Sequence, residues 1–154
     1  VFIGPNTGSG VGMSAHRRNF IYVQGETIYA NYIEDYTIPH EIGHSLGLNH
    51  TFETWNNPAL ADTFGTNCLS RGDLVCDTPP DFLPGGTVHP MDMVNANCDY
   101  VGSPLVPGSL LFSPLTNNIM SYYEGCLESF TNGQGERARK ALEHGISSIG
   151  NTIN

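Results

Sequence analysis

Positive charge is scarce in this chain. Only 6 of its 154 residues are Lys or Arg, against 15 Asp or Glu, for a formal net charge of −9. That balance argues against nucleic acid as a partner, because phosphate neutralisation needs clustered cations; it favours cations, basic peptides or calcium. Long apolar runs are also missing. No stretch approaches the roughly 20 residues that cross a bilayer, so no membrane span is expected. There is no internal repeat and no low-complexity linker, and the chain reads as one domain over residues 1–154. No cationic and apolar leader opens it, so an exported protein would be represented here by a processed or excised piece. Cys68, Cys76, Cys98 and Cys126 include no Cys-x-x-Cys pair. Two disulfides in an oxidising, extracellular setting are therefore expected, with all three pairings open. A hydrophobic content of 39% with 14% charged residues is compatible with one compact core.

Against these absences stands one dense segment, His40-Glu41-Ile42-Gly43-His44-Ser45-Leu46-Gly47-Leu48-Asn49-His50. On a helix, His40 and His44 project from one face, so two neutral imidazoles can meet one metal ion about 2.0–2.1 Å away. Gly47 can take a positive φ at no steric cost, ending the helix and turning the chain so that His50 supplies a third ligand. Three protein ligands leave one position open, which marks a catalytic zinc rather than a structural one. Glu41, beside the first ligand, is placed to take a proton from the attacking water and return it to the leaving group. The full pattern is far more restrictive than a bare His-Glu-x-x-His, which an ordinary amphipathic helix can carry. His16, His89 and His144 have no partner at ligand spacing and read as surface or helix-end residues.

The segment resembles the metzincin zinc peptidases, and the residues after it resemble the pappalysin and cytophagalysin group of those enzymes. The matching stretches are His40 to Phe52, Gly72-Asp73-Leu74-Val75-Cys76-Asp77-Thr78-Pro79, Asn118-Ile119-Met120-Ser121-Tyr122 and Phe130-Thr131-Asn132-Gly133-Gln134. The resemblance implies an α+β, metzincin-like zincin. Its parts would be a short N-terminal subdomain with few strands plus the zinc helix, then a loop-rich C-terminal subdomain with a methionine turn and a terminal helix. It implies that Met120 forms a hydrophobic floor under the three histidines. Tyr122 would approach the metal at rest and hydrogen-bond the oxyanion during turnover. Asp73, Asp77 and Thr78 offer hard oxygen ligands where some relatives bind calcium; the alternative is a turn held by Asx and hydroxyl hydrogen bonds. Many relatives cleave before Arg or Lys, and Glu124 is the one acid after the methionine turn that could select such a residue. It reads equally as a solvated loop residue.

The chain departs from that family in two respects, one being Pro39, which stands directly before the first ligand and shortens the helix that positions His40. Metzincins usually carry about five strands and a backing helix ahead of the zinc helix, and residues 1–39 are too few for that. Either the relative is abbreviated or upstream sequence supplies the rest, including the edge strand that would pair with a peptide. Residues 1–19 read as loop; Phe20 to Val23 and Thr27 to Ile33 read as a hairpin or two edge strands. The zinc helix is expected from about Thr37, as N-cap, to Leu46. Residues 53–118 should be irregular and held by crosslinks. A capping box at Thr131 and Gln134 should start a last helix, with Ala138, Ala141 and Leu142 as its apolar face, Arg137, Arg139 and Lys140 outward, and Gly145 as its stop. The functional expectation is a secreted, monomeric zinc endopeptidase with one zinc per chain, acting on peptides or proteins. The alternative is a catalytically silent zinc-containing binding or adhesion module, against which Glu41 argues because a structural site needs no such neighbour.

Overall fold

A computed structural model of the chain describes residues 2–4, 12–14, 21–24, 36–53, 67–83, 88–102 and 112–150. The chain divides into two compact units, Val1–Leu48 with Gln134–Asn154, and Asn49–Gly133.

In the first unit, β1 (Phe2–Gly4), β2 (Gly12–Ser14) and β3 (Ile21–Gln24) form a sheet in the order β1-β3-β2. β1 runs parallel to β3 with Phe2 opposite Tyr22; β2 runs antiparallel to it with Gly12 opposite Val23. The opening stretch expected to be loop thus holds two strands. Three residues each are too few to show a period, and their pairing is set by β3, whose Ile-Tyr-Val run carries the strand propensity. β3 is the middle strand, not an edge, because it has a partner on both sides. The run Thr27 to Ile33 lies outside the described residues.

Helix α1 (Thr37–Ser45) packs on β2 and β3. Tyr36 is its N-cap and makes no side-chain cap, so Thr37 is the first helical residue rather than the cap. Pro39 falls in the first turn, where amides have no intrahelical acceptor; the first such bond runs from the His40 amide to the Tyr36 carbonyl at 2.8 Å. The other end is closed by two backbone bonds, Gly47 N to His44 O at 2.9 Å and Leu48 N to Gly43 O at 3.0 Å. This is the Schellman arrangement, which needs a left-handed residue past the cap, and Gly47 sits at φ 82°.

Helix α2 (Asn132–Gly150) runs through Gly145, where a stop was expected. One glycine inside a helix costs about 1 kcal/mol and ends it only when the chain also turns left-handed there. Arg137 does not face outward: its Nε donates to the Gly47 carbonyl at 2.9 Å, securing the turn that ends α1. Leu142 is 51% exposed, so the expected apolar face reduces to the half-buried Ala138 and Ala141.

The second unit, among its described residues, has one 3₁₀ turn (Pro90–Met93) and two isolated bridges, Val94 with Tyr100 and Asn118 with Ser129. Its core is Met93, Tyr123 and Cys126, with Phe82, Val88, Val94, Tyr100 and Leu127 packed around them. The disulfides are Cys68–Cys76 and Cys98–Cys126, which selects one of the three pairings. Side chains take over the work of ladders. Asn118 Oδ1 accepts the Met120 amide at 2.9 Å, Asn95 Oδ1 accepts the amides of Asn97 and Asp99, and Asp73 Oδ1 accepts that of Val75 at 3.1 Å. Backbone groups in a folded loop must find partners, and short Asx side chains reach amides two residues on.

Candidate metal centre

The helical spacing puts the rings of His40 and His44 edge to face, with centroids 4.8 Å apart. Both residues are buried, as is Glu41 between them at 7% exposure. Nδ1 of His44 lies 2.9 Å from the Leu48 carbonyl, which can only accept. Nδ1 therefore carries a proton, and in the neutral ring Nε2 is the nitrogen whose lone pair a metal would use. A carbonyl fixing the tautomer of a histidine in this way is the usual outer partner of a metal-binding imidazole. One nitrogen from each of His40, His44 and His50 lies within 4.8 Å of the others. Three imidazole nitrogens gathered this closely are a donor set that zinc takes, so the residues present fit one such ion, which His40, His44 and His50 would hold.

His50 is held from both sides. Asn49 donates to the Asp73 carbonyl at 3.4 Å, and the Thr51 amide donates to the Met120 carbonyl at 3.2 Å. Its ring stacks on Phe52 (centroids 4.7 Å, interplanar 11°) and meets Tyr122 at 4.9 Å. The Tyr122 hydroxyl is 3.1 Å from Nε2 of His50. Met120 is fully buried, and its backbone carbonyl accepts from the amide of the residue after His50.

Other sequence candidates have different surroundings. Asp73 Oδ2 accepts the Thr78 hydroxyl at 2.8 Å. Asp77 accepts the Thr131 hydroxyl at 2.7 Å and the Gly133 amide at 2.8 Å, which places a carboxylate at the first turn of α2 where it is electrostatically favoured. These carboxylates are committed to turns and to a helix end. Among the described residues the three histidines form the one group of His, Cys, Asp or Glu with metal-binding convergence. Glu124 is exposed, in a turn closed by the Cys126 amide on the Tyr123 carbonyl at 3.0 Å.

Two residues here do not declare themselves in the sequence. Phe52 merely ends a motif there, yet it stacks on a ligand candidate. Asp81 belongs to no motif at all, yet it is 4% exposed and accepts four hydrogen bonds. Thr51 Oγ1 (2.5 Å) and Ser121 Oγ (2.8 Å) converge on its Oδ2; Tyr123 hydroxyl and the Phe82 amide, both at 2.7 Å, converge on its Oδ1. Burial drives its pKa above the ordinary carboxylate range, against the pull of those four donors. Tyr100 is pushed up to about 12, first by burial and then by the charge on Asp81. Tyr123 is raised further by the same causes together with its bond to Asp81. The only hint in the sequence is an aspartate inside a Pro-Pro-Asp-Phe run.

Two imidazoles a helical turn apart and a third after a left-handed glycine define the metal-site helix of a zincin. The sequence profile of the Peptidase_M43 family, described as pregnancy-associated plasma protein-A, matches residues 5–143, and the chain belongs to this metallopeptidase family. Among curated proteins it is similar to "Extracellular metalloprotease 1" of Coccidioides posadasii, 33% identical over 101 residues, covering 66% of this chain and 28% of that one. It also resembles the "Extracellular metalloprotease" of Arthroderma otae (34% over 121 residues; 77% and 35%) and that of Verticillium alfalfae (27% over 137 residues; 86% and 40%). Among solved structures it shares its fold with Tannerella forsythia mature mirolysin, determined with a cleaved peptide. The TM-score is 0.51 at 20% identity, covering 89% of this chain and 49% of that one. The chain thus spans less than half the length of each of these relatives.

Proposed function

We propose that the chain is the catalytic domain of a secreted zinc endopeptidase, with zinc held by His40, His44 and His50. The observation that carries the proposal is the convergence of three imidazoles next to a buried glutamate on the same helix. Bound zinc supplies Lewis acidity, polarising a carbonyl and making water acidic near neutral pH. Glu41 takes the proton of the attacking water and hands it to the departing amine. Tyr122, within reach of the His50 edge, hydrogen-bonds through its hydroxyl to the oxygen that becomes negative as the scissile carbonyl turns tetrahedral, keeping its own proton. The names of the curated relatives and the two disulfides support secretion. Preference for Arg or Lys after the cut rests on Glu124, whose exposure leaves it free to meet an arriving cation. Casein or gelatin hydrolysis that vanishes with a chelator and returns with one equivalent of zinc is the expected result. A chain that binds zinc yet never cleaves would leave the silent binding module as the reading.

A further inference from the structure

Resting on that reading, we propose that Asp81 is the positioning residue that locks His50 and the Tyr122 hydroxyl to each other. Four contacts close a ring. Thr51 follows His50 and gives its hydroxyl to Oδ2 of Asp81. Ser121 precedes Tyr122 and gives its hydroxyl to the same oxygen. Tyr123 follows Tyr122 and bonds the other oxygen, so Tyr122 is gripped on both sides. Tyr122 then reaches His50 Nε2. All of these residues lie on loops, where no ladder fixes a side chain, and the segments are 30 to 42 residues from Asp81 in sequence.

A carboxylate suits this post. It has about four lone-pair sites, donates nothing when ionised, and here meets four donors and no acceptor. The arrangement is too specific to be general filler: both hydroxyls on Oδ2 belong to immediate chain neighbours of residues at the metal centre. Asp81 touches neither the metal ligands nor the oxyanion donor itself. It acts through Thr51 and Ser121, as outer partners of metal ligands do.

The test measures Zn²⁺ affinity by chelator competition, together with the visible spectrum of the Co²⁺-loaded chain, which reports ligand number and symmetry. Thr51→Val keeps the shape and removes one arm; Ser121→Ala removes the other. Each is expected to weaken zinc binding about tenfold or more and to change the cobalt spectrum. Thr51→Ser, which keeps the hydroxyl, is expected to restore both. Should Thr51→Val fail to fold, Ser121→Ala, which deletes one oxygen and adds no bulk, carries the same test. Variants that bind zinc as the parent does, with the parent's cobalt spectrum and only a lower melting temperature, overturn the inference and make Asp81 a stability residue. A parent chain that takes up no zinc overturns the metal reading beneath it as well.

Discussion

His40 and His44 are placed by a helix, whereas His50 and Tyr122 are placed by loops. For the first pair, the helical repeat alone puts two rings on one face, and the sheet and the Arg137 bond hold the helix. For the second pair nothing is periodic. Their positions come from Asn49 on Asp73, Thr51 on Met120, and the four bonds into Asp81. Within one half of the centre the relative placement of the two rings is therefore local, and the other half depends on partners far along the chain.

The comparison can be broken or sharpened by substitution. Glu41→Gln is expected to have the largest effect: a loss of about three orders of magnitude in kcat, with zinc content and melting temperature retained, since only proton transfer is removed. Peptide turnover measured alongside metal analysis checks it, and retained turnover would sink Glu41 as the base. Tyr122→Phe should lower kcat about a hundredfold with little change in KM, because its hydroxyl matters at the oxyanion and not in ground-state binding. If KM rises instead while kcat holds, Tyr122 binds substrate and does no more. Among effects on stability, serine in place of Cys98 and Cys126 should cost about 3.5 kcal/mol, and in place of Cys68 and Cys76 about 2.5, because the first pair closes a span of 28 residues and the second a span of 8. Denaturant midpoints for the two double variants test that order. Smallest is Gly47→Ala, about 1–2 kcal/mol, from forcing a side chain into φ 82°.

The same contrast decides what is legible in the sequence. His40, Glu41, His44, Gly47 and His50 announce themselves because their spacing is local and geometric. Asp81 does not, because its meaning is set by Thr51, Ser121 and Tyr123, and no local pattern connects position 81 to position 121. The start of α2 teaches a related point. A carboxylate from Asp77, over fifty residues away, meets the amide of Gly133, and a Cβ there would fall 2.4 Å from its oxygen. The strands at 2–4 and 12–14 are invisible in sequence because their pairing partner, not their composition, makes them strands. Charge alone assigns Arg137 to solvent, although its partner is a carbonyl at a helix end, which a guanidinium serves well.

Under the proposed function the molecule lives in the presence of its own activity, and the loops of the second unit bear on that. Cleavage requires a segment to be drawn out of the fold, which depends on how readily it opens. Where an Asn or Asp side chain holds the amide two residues ahead, as at Asn95 and Asn118, drawing the chain out first breaks those bonds. The Cys98–Cys126 link then limits how far the freed strand can travel. Self-digestion of such a molecule should begin outside these tethered turns, and the first nicks of an ageing sample, mapped by mass spectrometry, would mark which bonds the tethers do not guard.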